Sequence, residues 1–227
     1  MDKLPFAELS EQNVRQPYKT EIRGYGGKPR VLAIASSAGG TAALEVILRE
    51  LPSSCIPTVI VQHMTHGFVG ILADRLNRVS PMEVKEASDG ELLSTGVALL
   101  APADLHMRLR AKNNGLAAEC FAGGRIHGVM PAADVLFESV ADLVKDMAIG
   151  VVLTGMGADG AQGLLSMRRQ GARTIAQDQD SSIVYGMPKK AYEIGAAEFI
   201  LPLNRIAEKI IILQNEIDHR PAPLYGL

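Results

Sequence analysis

The chain has 227 residues, 47% of them apolar and 21% charged, a balance that suits one domain with a full core. A net charge of −2, 4% aromatics and no Trp argue against nucleic acid as a partner, since neither a basic patch nor a base-stacking platform is on offer. No apolar run reaches the length of a membrane span and the start lacks a secretory signal. Cys55 and Cys120 lack CxxC spacing, so the expectation is a cytoplasmic protein with reduced thiols and no direct membrane insertion.

Residues 1–29 are polar and aperiodic, with Gly-Tyr-Gly-Gly at 24–27, and read as an arm or linker. RVLAIAS (30–36) is a short apolar strand, and a helix pattern runs from Thr41 to Leu51. TVIVQH (58–63) is a second strand, with a further helix pattern from near Phe68. VALLAP (97–102), LHMRLRA (105–111) and LAAECF (116–121) read together as antiparallel strands around a tight turn at Asn113-Asn114-Gly115. A helix pattern over 133–145 leads to IGVVL (149–153), a helix from about Gly160, ARTIAQD (172–178), a helix near 188–195, EFILP (198–202) and a last helix. The fold class expected is α/β, a doubly wound and mainly parallel sheet with helices on both faces and an antiparallel hairpin excursion. The core domain is placed at 30–217, with a tail at 218–227.

Open parallel sheets put their sites at the carboxyl ends of strands. Ser36 and Ser37 follow the first strand, His63 the second, and Asp159 follows IGVVL and a glycine turn. A hydroxyl, an imidazole and a carboxylate are what a serine nucleophile, its base and the acid orienting that base require. Each residue has another reading. The serines sit where a helix cap would, His63 could be a buried histidine bonded to backbone, and Asp159 could cap the helix that follows it. Spacing alone does not choose between Ser36 and Ser37.

Gly155-Met-Gly157-Ala-Asp-Gly160 is also a literal GxGxxG after a strand, with Asp178 near the place of a ribose-binding acid, so a dinucleotide-binding protein is the rival reading. Against it, Asp159 would set a carboxylate where a pyrophosphate must sit. A third reading is an interaction module without turnover. His63 and His66 could form a metal pair, but no third ligand stands near them in sequence, and neither a metal nor a cofactor is expected.

Six blocks in order, Ser-Ser-Ala-Gly-Gly (36–40), Gln-His-Met (62–64), Ala-Pro-Ala-Asp-Leu-His (101–106), Asp-Val-Leu-Phe (134–137), Leu-Thr-Gly-Met-Gly-Ala-Asp-Gly-Ala (153–161) and Val-Tyr-Gly-Met-Pro (184–188), resemble the catalytic domain of CheB-type protein-glutamate methylesterases. The resemblance runs from about residue 30 to 212. It implies an α/β domain that removes methyl groups from receptor glutamates in chemotactic adaptation, releasing methanol, with deamidation of receptor glutamines as a second activity. It places the nucleophile on Ser37 rather than Ser36, the base on His63 and the orienting acid on Asp159. The oxyanion would be met by backbone N–H groups at Ala38, where the helix begins, and at Met156 in the glycine turn. The implied partner is the helical cytoplasmic region of a methylated receptor. Members often carry an N-terminal receiver domain, for which 30 residues are too few. Ala35, Ala38, Ala103 and Val129-Met130 depart from the pattern, which has Gly, Thr, Gly and His-Arg there; none removes a triad member, the alanines bear on loop shape, and the lost His-Arg pair bears on substrate-side contacts.

Overall fold

The computed structural model describes residues 29–218. Its centre is β1 (Val31–Ser36), six residues without exposure, as expected of a strand covered on both faces. β1 pairs in parallel with β2 (Thr58–Gln62) on one side and with β7 (Ala148–Val152) on the other. Beyond β2 lie β4 (Val97–Leu100) and the edge strand β3 (Glu83–Glu86); beyond β7 lie β8 (Arg173–Gln177) and the short β9 (Phe199–Leu201). The sheet is therefore seven parallel strands in the order β3-β4-β2-β1-β7-β8-β9. Its winding reverses between β1 and β7, and the crevice above that switch point is where open α/β sheets hold their sites.

Helices cover both faces. α1 (Gly40–Glu50) buries Ala43, Leu44, Ile47 and Leu48 at helical spacing, and it packs against α2 (Val69–Val79) and α6 (Leu203–Asp218). α3 (Ala133–Leu143) packs on α4 (Ala161–Arg169), which in turn meets α5 (Met187–Glu193). The hairpin is a separate two-stranded sheet, β5 (His106–Lys112) and β6 (Gly115–Phe121), joined by Asn113-Asn114 and lying against α3.

Two features depart from expectation. VALLAP does not join the antiparallel group; Val97–Leu100 is a parallel member of the main sheet, because its buried side chains need cover on both faces. Glu83–Glu86 forms an edge strand with no apolar run to announce it; only Val84 of its four side chains is buried. No helix among the described residues is long and apolar enough to cross a membrane. The expected arm (1–29) and tail (218–227) lie, but for residues 29 and 218, outside the described residues.

Candidate active site

At the end of β1 the chain turns sharply. Ser36 stays in the sheet, fully buried, and donates its hydroxyl to Gln62 Oε1 at 2.7 Å. Ser37, one residue on, leaves the sheet and is part exposed. Its N–H donates to the Thr154 carbonyl at 3.0 Å, and its carbonyl accepts from Gly40 N–H and Gln62 Nε2 at 2.8 and 2.9 Å. The backbone of the serine turn is thus fixed to β2 and to the end of β7. Neither serine caps α1, whose N-cap is Gly39 with no side-chain cap bond.

His63 follows β2 directly, its N–H bonded to the Ser36 carbonyl at 3.0 Å, which sets the imidazole beside the serine turn. Nε2 donates to Asp159 Oδ2 at 2.7 Å, and the imidazole is only 11% exposed. Nδ1 is therefore the nitrogen left for a hydroxyl. The structure brings His63 and Asp159 into contact and places Ser37 next to them through the main chain. It forms no hydrogen bond between the Ser37 hydroxyl and His63, a bond that often tightens only with substrate bound.

Asp159 does not cap the helix that follows it as the simpler reading has it. Its Oδ2 also accepts from Ala133 N–H at 2.6 Å, and its Oδ1 accepts from Asp134 N–H and Gly160 N–H, both at 3.0 Å. It caps α3, a helix begun 26 residues earlier, whose positive N-terminal end favours the carboxylate. Burial pushes the Asp159 carboxyl up, but the His63 hydrogen bond and the two amides of α3 outweigh it and hold the group below the ordinary carboxylate range.

The glycine turn closes the other side. A Cβ on Gly155 would stand 2.8 Å from Ser37 Cβ and 2.3 Å from Met187 Sδ, so only glycine lets these three segments meet. Gly155 also pairs with the Tyr-Gly-Met-Pro segment, its carbonyl accepting from Gly186 and Met187 N–H at 3.1 and 2.8 Å. Among the described residues, neither Ala38 N–H nor Met156 N–H has an acceptor, and both residues are exposed at the mouth of the site. These are the two expected oxyanion donors.

The same contacts weigh against the dinucleotide reading. At Gly155, the first glycine of the motif, the space is taken by Met187 and Ser37. Asp178 spends its Oδ1 on the N–H and hydroxyl of Ser181, at 3.0 and 2.6 Å, in its own turn rather than on a ligand. His66 pairs with Asp104 at 3.1 Å in solvent, apart from His63. His127, Asp134 and Asp159 lie within reach of one ion, and their carboxylate oxygens accept from amide and imidazole donors at the N-terminus of α3.

Sequence reasoning missed the buried polar residues behind the site. Gln62 bridges Ser36, Ser37 and the His63 carbonyl. Thr154 Oγ1 donates to the Ala38 carbonyl at 2.9 Å and accepts from Val184 N–H at 2.9 Å, while Gln177 Oε1 accepts from Thr154 N–H at 2.8 Å. The signal available was a polar residue at the carboxyl end of each of three apolar strands.

An open parallel α/β sheet with serine, histidine and aspartate gathered at its switch point has the layout of a serine hydrolase. Residues 32–210 match the family model described as CheB methylesterase, and the chain belongs to that family. It is 49% identical over 187 residues to a protein-glutamate methylesterase/protein-glutamine glutaminase of Sulfurimonas denitrificans, covering 82% of this chain and 53% of that protein. A Caulobacter vibrioides protein of the same description is 48% identical over 183 residues, or 81% of this chain and 53% of its own. The chain thus spans about half the length of the curated relatives it matches. The crystal structure of the Thermotoga maritima CheB methylesterase catalytic domain superposes with a TM-score of 0.80 at 39% identity, covering 82% of this chain and 99% of that one.

Proposed function

We propose that residues 30–217 form a catalytic unit that hydrolyses glutamate methyl esters on a chemoreceptor-type protein, releasing methanol. The observation that carries this is the His63–Asp159 contact at 2.7 Å, held beside Ser37 at the switch point of the sheet. Ser37 Oγ attacks the ester carbonyl as His63 Nδ1 takes its proton, and Asp159 stabilises the imidazolium that results. The tetrahedral oxyanion meets the free N–H groups of Ala38 and Met156. The leaving methoxide takes the proton from His63 and departs as methanol. Water, deprotonated by the same imidazole, then cleaves the glutamyl-Ser37 ester to free carboxylate and serine. With a glutamine side chain the same cycle releases ammonia, which would account for the double description that the relatives carry. Small residues in both turns leave room for a helical segment of the receptor to approach.

The test is methanol release from a methylated receptor cytoplasmic fragment. The chain should release it and Ser37→Ala should lose at least about 10³-fold in rate. Wild-type rates in a folded Ser37→Ala protein would refute the nucleophile.

A further inference from the structure

Behind Asp159 stands a second carboxylate paired with a second histidine. Asp134, the second residue of α3, is 5% exposed. Its Oδ1 accepts from Gly163 N–H of α4 at 2.7 Å, and its Oδ2 accepts from His127 Nε2 at 3.0 Å. Its own N–H is one of the amides that hold Asp159. Polar side-chain atoms, one each from His127, Asp134 and Asp159, lie within 4.8 Å of one another, so two aspartate–histidine pairs stand back to back across the end of one helix.

His127 reaches Asp134 from outside. It sits in a loop closed by reciprocal N–H···O bonds between Ile126 and Val129, at 3.1 and 3.0 Å. Its φ of 54° is a left-handed conformation that costs a side-chain-bearing residue, and its imidazole is 45% exposed.

We propose that Asp134, held by His127, is a positioning residue of the reaction: its negative charge behind Asp159 raises the basicity of His63. The inference rests on the triad reading of the preceding section. A carboxylate this near Asp159 adds negative potential at the imidazole and favours its protonated form, the form that develops as Ser37 attacks. His127 donates to that carboxylate and so favours its ionised state. The remaining titratable neighbours are Asp159, with His63 behind it, and Glu138 one turn along α3, whose own carboxyl is raised by burial and by Asp134; α4 contributes the uncharged Gly163 N–H. Burial foremost, and then the Asp159 charge, push the Asp134 carboxyl up, while Gly163 N–H and His127 pull against them. Its charge is therefore what His127 is placed to secure.

Asp134→Asn tests this with little change of shape, since its amide oxygen still accepts from Gly163 N–H and its NH2 faces His127 Nε2. The measurement is the His63 imidazole titration followed by NMR, assigned by loss of the signal in His63→Gln, alongside the pH profile of kcat/KM for methanol release. Loss of a nearby negative charge weakens the base, so the His63 midpoint and the acid limb of the profile should both move to lower pH, by on the order of one unit. His127→Phe should move them the same way by less, and His127→Gln, which keeps a donor for Asp134, should restore them. A His63 midpoint unmoved in Asp134→Asn and His127→Phe overturns the proposal. Should Asp134→Asn fail to fold, the loop variants decide by the same readout. Absence of methanol release from wild type would strike the triad reading instead, and the NMR titration would still judge Asp134.

Discussion

Replacing Asp159 by asparagine should cost both turnover and stability, because one carboxylate serves four donors. Oδ1 accepts from Asp134 and Gly160 N–H, and Oδ2 accepts from Ala133 N–H and His63 Nε2. An asparagine has one acceptor oxygen. If that oxygen stays with Asp134 and Gly160, its NH2 points at the Ala133 N–H, donor against donor at a separation of 2.6 Å in wild type. It also faces His63 Nε2 and favours the tautomer with the proton on Nδ1, the nitrogen that must accept one from Ser37. A buried donor without an acceptor costs about 1–3 kcal/mol. In a unit of this size that lowers Tm by roughly 3–10 °C. The wrong tautomer costs turnover on the order of 10⁴-fold in triads generally. The sign of the pH dependence follows from the lowered carboxyl of Asp159. Its stabilisation is present above the unfolded value near ~3.9 and is lost as pH falls through the lower folded value. The stability gap between wild type and Asp159→Asn should therefore be widest at neutral pH and close in acid. Thermal melts from pH 7 down to about 3, with methanol release at neutral pH, measure both effects. A variant that melts with wild type at pH 7 would show that the four contacts do not act as described.

Two glycine substitutions test the packing around the site. In Gly155→Ala the new methyl would meet Ser37 Cβ at 2.8 Å and Met187 Sδ at 2.3 Å, so the serine turn must shift. A shift of about 1 Å there should cost on the order of 10²-fold in kcat, and unchanged kcat would mean that the turn is not set by this contact. In Gly163→Ala the methyl would stand 2.5 Å from Phe137 Cβ and 3.1 Å from the Asp134 backbone, forcing α3 from α4. Overpacking of this kind costs about 1–3 kcal/mol, and turnover should fall with it because the amides of Ala133 and Asp134 move off Asp159. Denaturant melts and methanol release check both, and a destabilised variant of full activity would uncouple α3 from the triad.

The central strands were legible because burial on both faces writes itself as an unbroken apolar run, as in VLAIAS and TVIVQ. The edge strand Glu83–Glu86 was not, since one face of an edge looks to solvent and its sequence carries three charges in four residues. VALLAP read as antiparallel because it stands next to the hairpin in sequence, whereas in space it stands next to β2. At the site, His63 and Asp159 were readable as reactive side chains at strand ends, and the structure joins them. What sequence does not display is the end of α3 beneath Asp159, or the bridges from Gln62 and Thr154. Apart from the Gln62 bond to its neighbour His63, those contacts span 25 to 116 residues of chain, and no local spacing encodes them.

The cap that Asp159 gives to α3 makes the working unit larger than three side chains. A designer who grafted Ser37, His63 and Asp159 onto another parallel sheet would bring a nucleophile and a base. The acid would arrive without the amides of Ala133 and Asp134 that keep it charged in a dry setting and aim its second oxygen at the imidazole. The part to transplant is a sheet crevice together with the blunt end of a neighbouring helix.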